Sequence, residues 1–412
     1  MGYSIYLGSL WAYQTHRTNA FVIVAGAILG FTAAMLWAAQ GAIMMSYPME
    51  VRFNTKAQSA GFSDTLQKDK GRSFSLFWTV FSLGGVLGGA ITLGIEYKSK
   101  LSAVSTGVYL VFLIIMLTAI VTSWLILPPN LVVRKDGTLV ELEASISMKQ
   151  EAKEFFRLFT DYRMLLLFPM CFTSNYFYAY QGSIIAHYFN ARSRALSSLL
   201  TNLGAVLGAI FIGVVLDKTP GNRRRRALTG LGCVLFLQLL VWSGGIGLQV
   251  QFKRTGPPML RDWSDDKAWG TLLLLLSYYF ADACYQGLAY YIIASLTNDS
   301  FRLARMAGFY KGIQSAGAAI SFAMDAVKTP YLTELIVSWA LILFSLPFAL
   351  IVILKIKESN YGEEDTHHVE DLKASELGGA ALPEGHHELH YDDTPKGAET
   401  AEIETASPVA RV

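Results

Sequence analysis

The feature that most constrains this chain is a series of apolar runs, each about 20 residues long, separated by short segments that carry the charges. A helix of about that length crosses the roughly 30 Å hydrocarbon layer of a bilayer. Only 16% of the 412 residues are charged and 52% are hydrophobic, whereas soluble domains carry about 25% charged residues. The pattern therefore predicts an all-α membrane protein.

Hydropathy divides the chain into ten predicted transmembrane helices. The first is short for a complete crossing, and it lacks the basic start and the cleavage site of a signal peptide. The predicted spans are 2–13, 20–46, 73–97, 104–127, 164–186, 194–216, 227–249, 270–296, 303–326 and 332–354.

These spans form two groups. Residues 1–127 form an N-terminal half-bundle of four spans, 128–163 a central loop, and 164–354 a C-terminal half-bundle of six spans. Residues 355–412 are rich in Glu, Asp, Gly, Pro and His and nearly lack aromatics, which predicts a disordered acidic tail.

Part of the central loop reads as an amphipathic helix. Phe155 and Phe156 alternate there with Lys149, Lys153 and Arg157. Such a helix suits the membrane surface, although an ordinary solvated linker helix explains the same pattern.

Orientation follows from the Lys and Arg residues in alternate loops. One set of loops holds eighteen of them and the other ten, and the more basic loops are expected on the cytosolic side. Both termini, the central loop and the tail are then cytosolic. The sequon Asn298-Asp299-Ser300 falls in a cytosolic loop, so we expect it to remain unglycosylated.

The two halves contain matching sequence pairs. Gln40-Gly41 aligns with Gln286-Gly287, and Phe77-Trp78 aligns with Phe309-Tyr310. Repeated halves around a central loop are typical of secondary transporters. If the halves are repeats, the count of four and six spans predicts two helices before Met1.

A charged motif lies between the sixth and seventh spans. An Asp at a helix end can form charge-assisted hydrogen bonds with a following Arg cluster. The motif resembles the G-x-x-x-D…R-R sequence of the major facilitator superfamily, which implies a cytosolic latch. Its residues are Gly213, Asp217, Arg223, Arg224, Arg225 and Arg226.

Four longer strings resemble the Unc-ninety-three-like family, especially its fungal members: WAAQGAIMMSYP (37–48), KGRSFSLFWTVFSLGGVLGG (70–89), LLLFPMCFTSNYFYAYQ (165–181) and ARMAGFYKGIQSAGAAISF (304–322). The resemblance implies a major-facilitator-type bundle of which this chain represents helices three to twelve. By the same comparison, residues 51–67 look like an insertion.

Two functions are compatible with that resemblance. The first is a carrier that moves a small solute or ion by alternating access. The alternative is a regulatory or trafficking partner of another membrane protein, as some animal relatives are.

Polar residues inside spans are costly and often functional. Asp282 lies mid-span among aromatic residues, and Lys311 lies well inside the next span. We predict that they pair in the bundle interior, with Gln286 and Gln314 as neutral partners. Otherwise Lys311 extends to the membrane boundary and Asp282 is neutral or capped.

Other intramembrane residues are candidates for the pathway or for helix packing. The amides of Gln40, Asn175 and Gln181 either line a pathway or hydrogen-bond between helices. Small residues four apart form close packing surfaces. These glycines are Gly84, Gly85, Gly88, Gly89, Gly204 and Gly208.

Several function classes find no support in the sequence. The net charge of +2 gives no general attraction to nucleic acid, and neither a nucleotide loop nor a catalytic triad is present, so we expect neither an enzyme nor a cofactor. Cys171, Cys233 and Cys284 lie in apolar runs without ligand spacing, so we expect inert thiols and no metal site. The expected partners are the lipid bilayer, a small solute or ion, and, in the alternative, another membrane protein.

Overall fold

The computed structural model describes residues 1–46, 63–97, 105–124, 147–297 and 300–357. Apart from one isolated bridge between Phe189 and Arg261, the regular structure in these ranges is helical. The helices are α1 (Gly2–His16), α2 (Asn19–Ser46), α3 (Ser63–Glu96), α4 (Thr106–Ser123), α5 (Met148–Arg157), α6 (Tyr162–Thr173), α7 (Tyr178–Tyr188), α8 (Ala191–Lys218), α9 (Arg223–Gln249), α10 (Ala268–Ala294), α11 (Ser300–Ala326) and α12 (Tyr331–Leu354), with a 3-10 turn at Leu158–Thr160.

Each predicted span overlaps helix within the described residues, and the amphipathic segment of the central loop is α5. Six of the described helices are long and apolar enough to cross a membrane: α2, α3, α4, α8, α9 and α12. The chain is therefore a membrane helix bundle. Most of the predicted insertion at 51–67 lies outside the described residues. So do Asn298 and Asp299 of the sequon and the predicted acidic tail from residue 358 onward.

Side-chain caps fix where several helices begin. Asp161 accepts a hydrogen bond from the Arg163 backbone N–H at 3.0 Å, Asn190 from Ser193 at 3.0 Å, and Asn222 from Arg225 at 2.9 Å. Each cap satisfies one of the N–H groups that lack a partner in the first helical turn.

The prediction of one continuous helix over 164–186 is wrong, because α6 ends at Thr173 and α7 begins at Tyr178. Pro169 lies inside α6 and supplies no backbone donor, which weakens the ladder. The hydroxyl of Thr173 donates to the Pro169 carbonyl at 3.0 Å, and that of Ser174 donates to Cys171 at 2.8 Å. These hydroxyls satisfy carbonyls near the break, as non-helical backbone inside a membrane protein requires.

Helix contacts join the two predicted halves. α8 packs against α3 on one side and α10 on the other, while α11 packs against α2 and α6. α12 contacts α6 and α9. The α8–α3 and α11–α2 contacts therefore connect the C-terminal helices to the N-terminal ones.

The outer surface of the bundle is apolar. Phe236 and Leu240 of α9 are 64% and 59% exposed, and Phe344 of α12 is 59% exposed. Large exposed apolar surfaces are unusual for a soluble monomer, and here they suit contact with lipid. The interior is packed with aromatics, of which Trp242, Tyr285 and Tyr310 are almost wholly buried.

Candidate functional site

A chain of polar side chains connects Asp282 of α10 with Lys311 of α11. Gln286 donates to the Asp282 carboxylate at 2.8 Å, and Gln314 donates to Gln286 at 3.3 Å. Lys311 in turn donates to Gln314 at 2.9 Å. We call these four residues the polar relay. These are the four residues that the sequence analysis grouped. The hydrogen bonds connect Asp282 to Lys311 through the side-chain amides of Gln286 and Gln314.

The cationic end of the relay lies among aromatic rings. The Lys311 ammonium is 4.7 Å from the centre of the Trp37 ring on α2 and 5.6 Å from that of Tyr310. A cation over an aromatic face is attracted by the ring's quadrupole, by up to about 2 kcal/mol when desolvated. Because Trp37 lies on α2, this contact also joins the two predicted halves at the relay.

The anionic end of the relay lies beside the break between α6 and α7. Tyr178, the first residue of α7, donates to Asp282 at 3.1 Å. Asn175 in the break accepts from Gln286 at 3.5 Å, and Ser174 accepts from Gln314 at 3.2 Å. The break therefore turns polar groups of a third helical segment toward the relay.

Asp282 lines a small cavity. The lining also includes Thr173, Ser174, Gln238 and Tyr278. Tyr285, which also lines it, shares 2.6 Å hydrogen bonds with Thr173 and with Ser345 of α12. Hydrogen bonds of this kind are strengthened by a low-dielectric interior, so a second hydrogen-bonded group of side chains adjoins the cavity that Asp282 lines.

Two other predicted pathway residues make no hydrogen bond to the relay within the part of the chain that the structure describes. Gln40 is on α2, one turn beyond Trp37, on the helix that packs against α11. Gln181 is fully buried on α7, and among the described residues its amide atoms have no hydrogen-bond partner. The prediction that these two line a pathway stays a prediction.

The predicted latch residues lie at the junction of α8 and α9. Gly213 is inside α8, Asp217 is its penultimate residue, and the four arginines form the first turn of α9. Arg226 is buried and donates to the Thr219 carbonyl at 3.1 Å. The cluster is thus anchored to the short loop between the two helices.

Five of the six predicted packing glycines lie against another helix, with different partners, and among the described residues the prediction fails at Gly84. A Cβ at Gly89 would come within 2.8 Å of the Leu199 backbone on α8, and one at Gly85 would overlap Asn202. Gly204 and Gly208 of α8 instead face the backbone of α10, at Leu276 and Phe280, so they do not meet the α3 glycines. Gly88 lies against Phe112, and Gly84 faces open space.

Sequence reasoning missed several residues of the site. Trp37, Ser174 and Tyr178 all contact the relay. Pro169 followed by the polar residues Ser174 and Asn175 was the available signal for a break. Proline weakens the helix, and polar side chains can satisfy the backbone groups that a break leaves without helical partners. Trp37 carried no comparable signal, because its role depends on the packing of α2 against α11.

This arrangement of apolar, membrane-crossing helices around a buried polar relay defines a multi-pass membrane protein. A sequence profile of the family described as "Ion channel regulatory protein UNC-93" matches residues 3–354. The chain belongs to the UNC-93 family.

Relatives occur in plants and fungi. The chain is 36% identical over 364 residues to UNC93-like protein 1 of Arabidopsis thaliana, covering 87% of this chain and 76% of that protein. It is 37% identical over 371 residues to a UNC93-like protein of Schizosaccharomyces pombe, covering 88% and 70%. It is also similar, at 24% identity over 331 residues, to Notoamide biosynthesis cluster protein O' of Aspergillus versicolor, covering 80% and 68%.

Proposed function

We propose that this protein is a carrier of the major facilitator type that moves a small polar solute or ion by alternating access. In this proposal the ten predicted spans, counting α6 and α7 as one, correspond to helices three to twelve of such a bundle. Both termini lie in the cytosol, as the distribution of Lys and Arg predicts.

The observation that carries the proposal is the polar relay beside a broken helix. Transporter sites are typically built near the membrane midplane from discontinuous helices and a few convergent polar groups. Asp282 supplies an acceptor for a cation or a proton, and the 4.7 Å contact of Lys311 with Trp37 connects the relay to the other half of the bundle. Charged groups inside a membrane protein commonly mark ion and proton pathways.

A second candidate function is regulation of an ion channel. The observation that favours it is the family description, which names channel regulation. In that case the bundle binds a membrane-protein partner, and the polar relay serves folding and packing.

One pair of experiments separates the two functions. Purified protein in sealed vesicles is challenged with gradients of H⁺, Na⁺, K⁺ and a panel of labelled amino acids and sugars. Saturable uptake that is lost in Asp282→Asn supports the carrier. Regulation is favoured if one channel subunit co-purifies stoichiometrically, no probe is taken up, and the Asp282→Asn variant supports the same channel currents as the wild type.

A further inference from the structure

A basic cleft of about 720 Å³ opens where α5 meets the bundle. Its walls are the end of α5, the 3-10 turn, the start of α6, the segment after α10, the start of α11 and the end of α12. The positive-residue count predicts that this end of the bundle faces the cytosol. The cleft is separate from the polar relay, since no relay residue lines it.

Positive charge dominates this cleft. Of the described residues that line it, two are acidic, Glu154 and Asp161, and six are basic. The lining therefore carries an excess of four positive charges. The basic residues are Arg157, Arg163, Arg302, Arg305, Lys355 and Lys357.

Acidic side chains hold part of this set in place. Asp161 contacts both Arg163 and Arg302 at 3.0 Å. Partial burial raises the pKa of Asp161, but the hydrogen bonds and charges of these two arginines outweigh it, so the pKa lies below its ordinary value. Outside the cleft, Glu151 of α5 accepts two hydrogen bonds of 2.8 Å from Arg305. Arg163, Arg302 and Arg305 are thus held in position before any ligand binds. If Glu151 is counted with the cleft, the excess is still three positive charges.

Tyr162 lines the cleft, and Phe156 and Phe159 are adjacent in sequence to residues that line it. Phe156 of α5 is 66% exposed, Phe159 is 39% exposed and Tyr162 is 53% exposed. The Lys355 ammonium lies 4.7 Å from the centre of the Tyr162 ring. An amphipathic helix that presents aromatics on one face and charges on the other suits the boundary between headgroups and acyl chains.

We infer that this cleft binds the phosphate headgroup of an anionic phospholipid, whose acyl chains lie along Phe156, Phe159 and Tyr162. The phosphate is held by the guanidinium groups that Asp161 positions, since Arg matches phosphate oxygens with paired donors. Lys355 and Lys357 add charge at the rim. Basic pockets between membrane helices on the cytosolic side are suited to anionic headgroups.

A lipid fits the cleft better than a soluble phosphate compound. A soluble phosphate compound would use the charges alone, and the exposed rings of Phe156, Phe159 and Tyr162 would gain no apolar contact from it. The cytosolic leaflet contains anionic lipids and has a surface potential of about −30 mV. Anionic headgroups are therefore available beside the cleft and are attracted to its positive charge.

The test uses the full-length protein in neutral detergent micelles, titrated with dioleoyl phosphatidic acid and, separately, with dioleoyl phosphatidylcholine. The rise in the thermal unfolding midpoint reports binding. Lys355→Gln/Lys357→Gln removes two charges from the cleft. Lys149→Gln/Lys153→Gln is the matched control, because it removes two exposed lysines of α5 that do not line the cleft.

We expect phosphatidic acid, and not phosphatidylcholine, to stabilise the wild type. The cleft variant should bind phosphatidic acid roughly twenty- to thirty-fold more weakly, at about fivefold for each lysine, and the control should change less than about twofold. Equal weakening in both variants overturns the inference in favour of general surface attraction. A third titration uses glycerol 3-phosphate, which has the phosphate but no acyl chains. If it raises the thermal midpoint as much as phosphatidic acid does, the inference is overturned in favour of a soluble phosphate ligand.

Discussion

The polar relay predicts that Asp282 and Lys311 are energetically coupled. Asp282→Asn removes the charge that accepts hydrogen bonds from Tyr178 and Gln286, and Lys311→Met removes the charged donor to Gln314. Hydrogen bonds to charged groups contribute about 1.5–3 kcal/mol each. The asparagine oxygen still accepts both bonds as a neutral group, and Lys311→Met loses one charged bond, so each single substitution should lower the free energy of unfolding by about 2–3 kcal/mol.

The double substitution should cost less than the sum of the single ones. Either change alone leaves the charge of the other residue without its counter-charge in a low-dielectric interior, and the second change removes that remaining charge. Because the connection passes through two amides, we expect a coupling energy of about 1–2 kcal/mol, which is less than a direct buried pair can give.

The assay is unfolding of the four proteins in mixed micelles with increasing dodecyl sulfate, followed by circular dichroism. A control cycle crosses Asp282→Asn with Gln249→Leu, which breaks the 3.0 Å hydrogen bond from Tyr180 outside the relay. The control cycle should be additive within about 0.5 kcal/mol. Additivity within that limit for the Asp282–Lys311 cycle as well would refute the coupling.

Three further predictions concern packing, pH and topology. Gly208→Leu should lower stability by about 1–3 kcal/mol, because its side chain would overlap the Phe280 carbonyl, whereas Gly84→Leu, which faces open space, should not; thermal midpoints compare them, and equal losses would contradict the packing. A hydrogen bond from Arg192 is the main cause that lowers the pKa of Asp262. The stability that the Asp262 carboxylate contributes should therefore be full above its unfolded pKa of about 3.9 and decline as the pH falls below that value. The difference in thermal midpoint between wild type and Asp262→Asn should narrow from pH 6 to pH 3, and a constant difference would contradict this. Asn298 should remain unglycosylated, and a glycosidase-sensitive mass shift on its peptide would contradict the predicted orientation.

The positions of the helices were predictable because each apolar run has one physical solution inside a bilayer: a helix that satisfies its own backbone. The starts of α8 and α9 at Ala191 and Arg223 precede the predicted starts at 194 and 227, because Asn190 and Asn222 cap these helices before their apolar runs begin. The break at 174–177 was not predicted, because hydropathy averages over a window and the polar step is shorter than that window.

The residues of the relay were predictable as a set, but their arrangement was not. The cost of Asp282 and Lys311 in apolar spans demands polar partners, and Gln286 and Gln314 follow each at helical spacing. Which atoms meet depends on how α10, α11 and the broken segment pack, and that arrangement is set by contacts distant in sequence. The contribution of Trp37 from α2 is the clearest example.

The relay at the broken helix is proposed to be open to each side of the membrane in turn, and the labelling of one cysteine tests this most directly. Cys171, Cys233 and Cys284 are replaced by Ala, and Asn175→Cys places a thiol in the break beside the relay. A membrane-impermeant maleimide is added to right-side-out and to inside-out vesicles, with protein denatured in detergent as the control for full labelling. The account predicts labelling from both sides. Labelling from one side only, or from neither while the denatured control reacts fully, would contradict alternating access and leave the regulatory role as the better explanation.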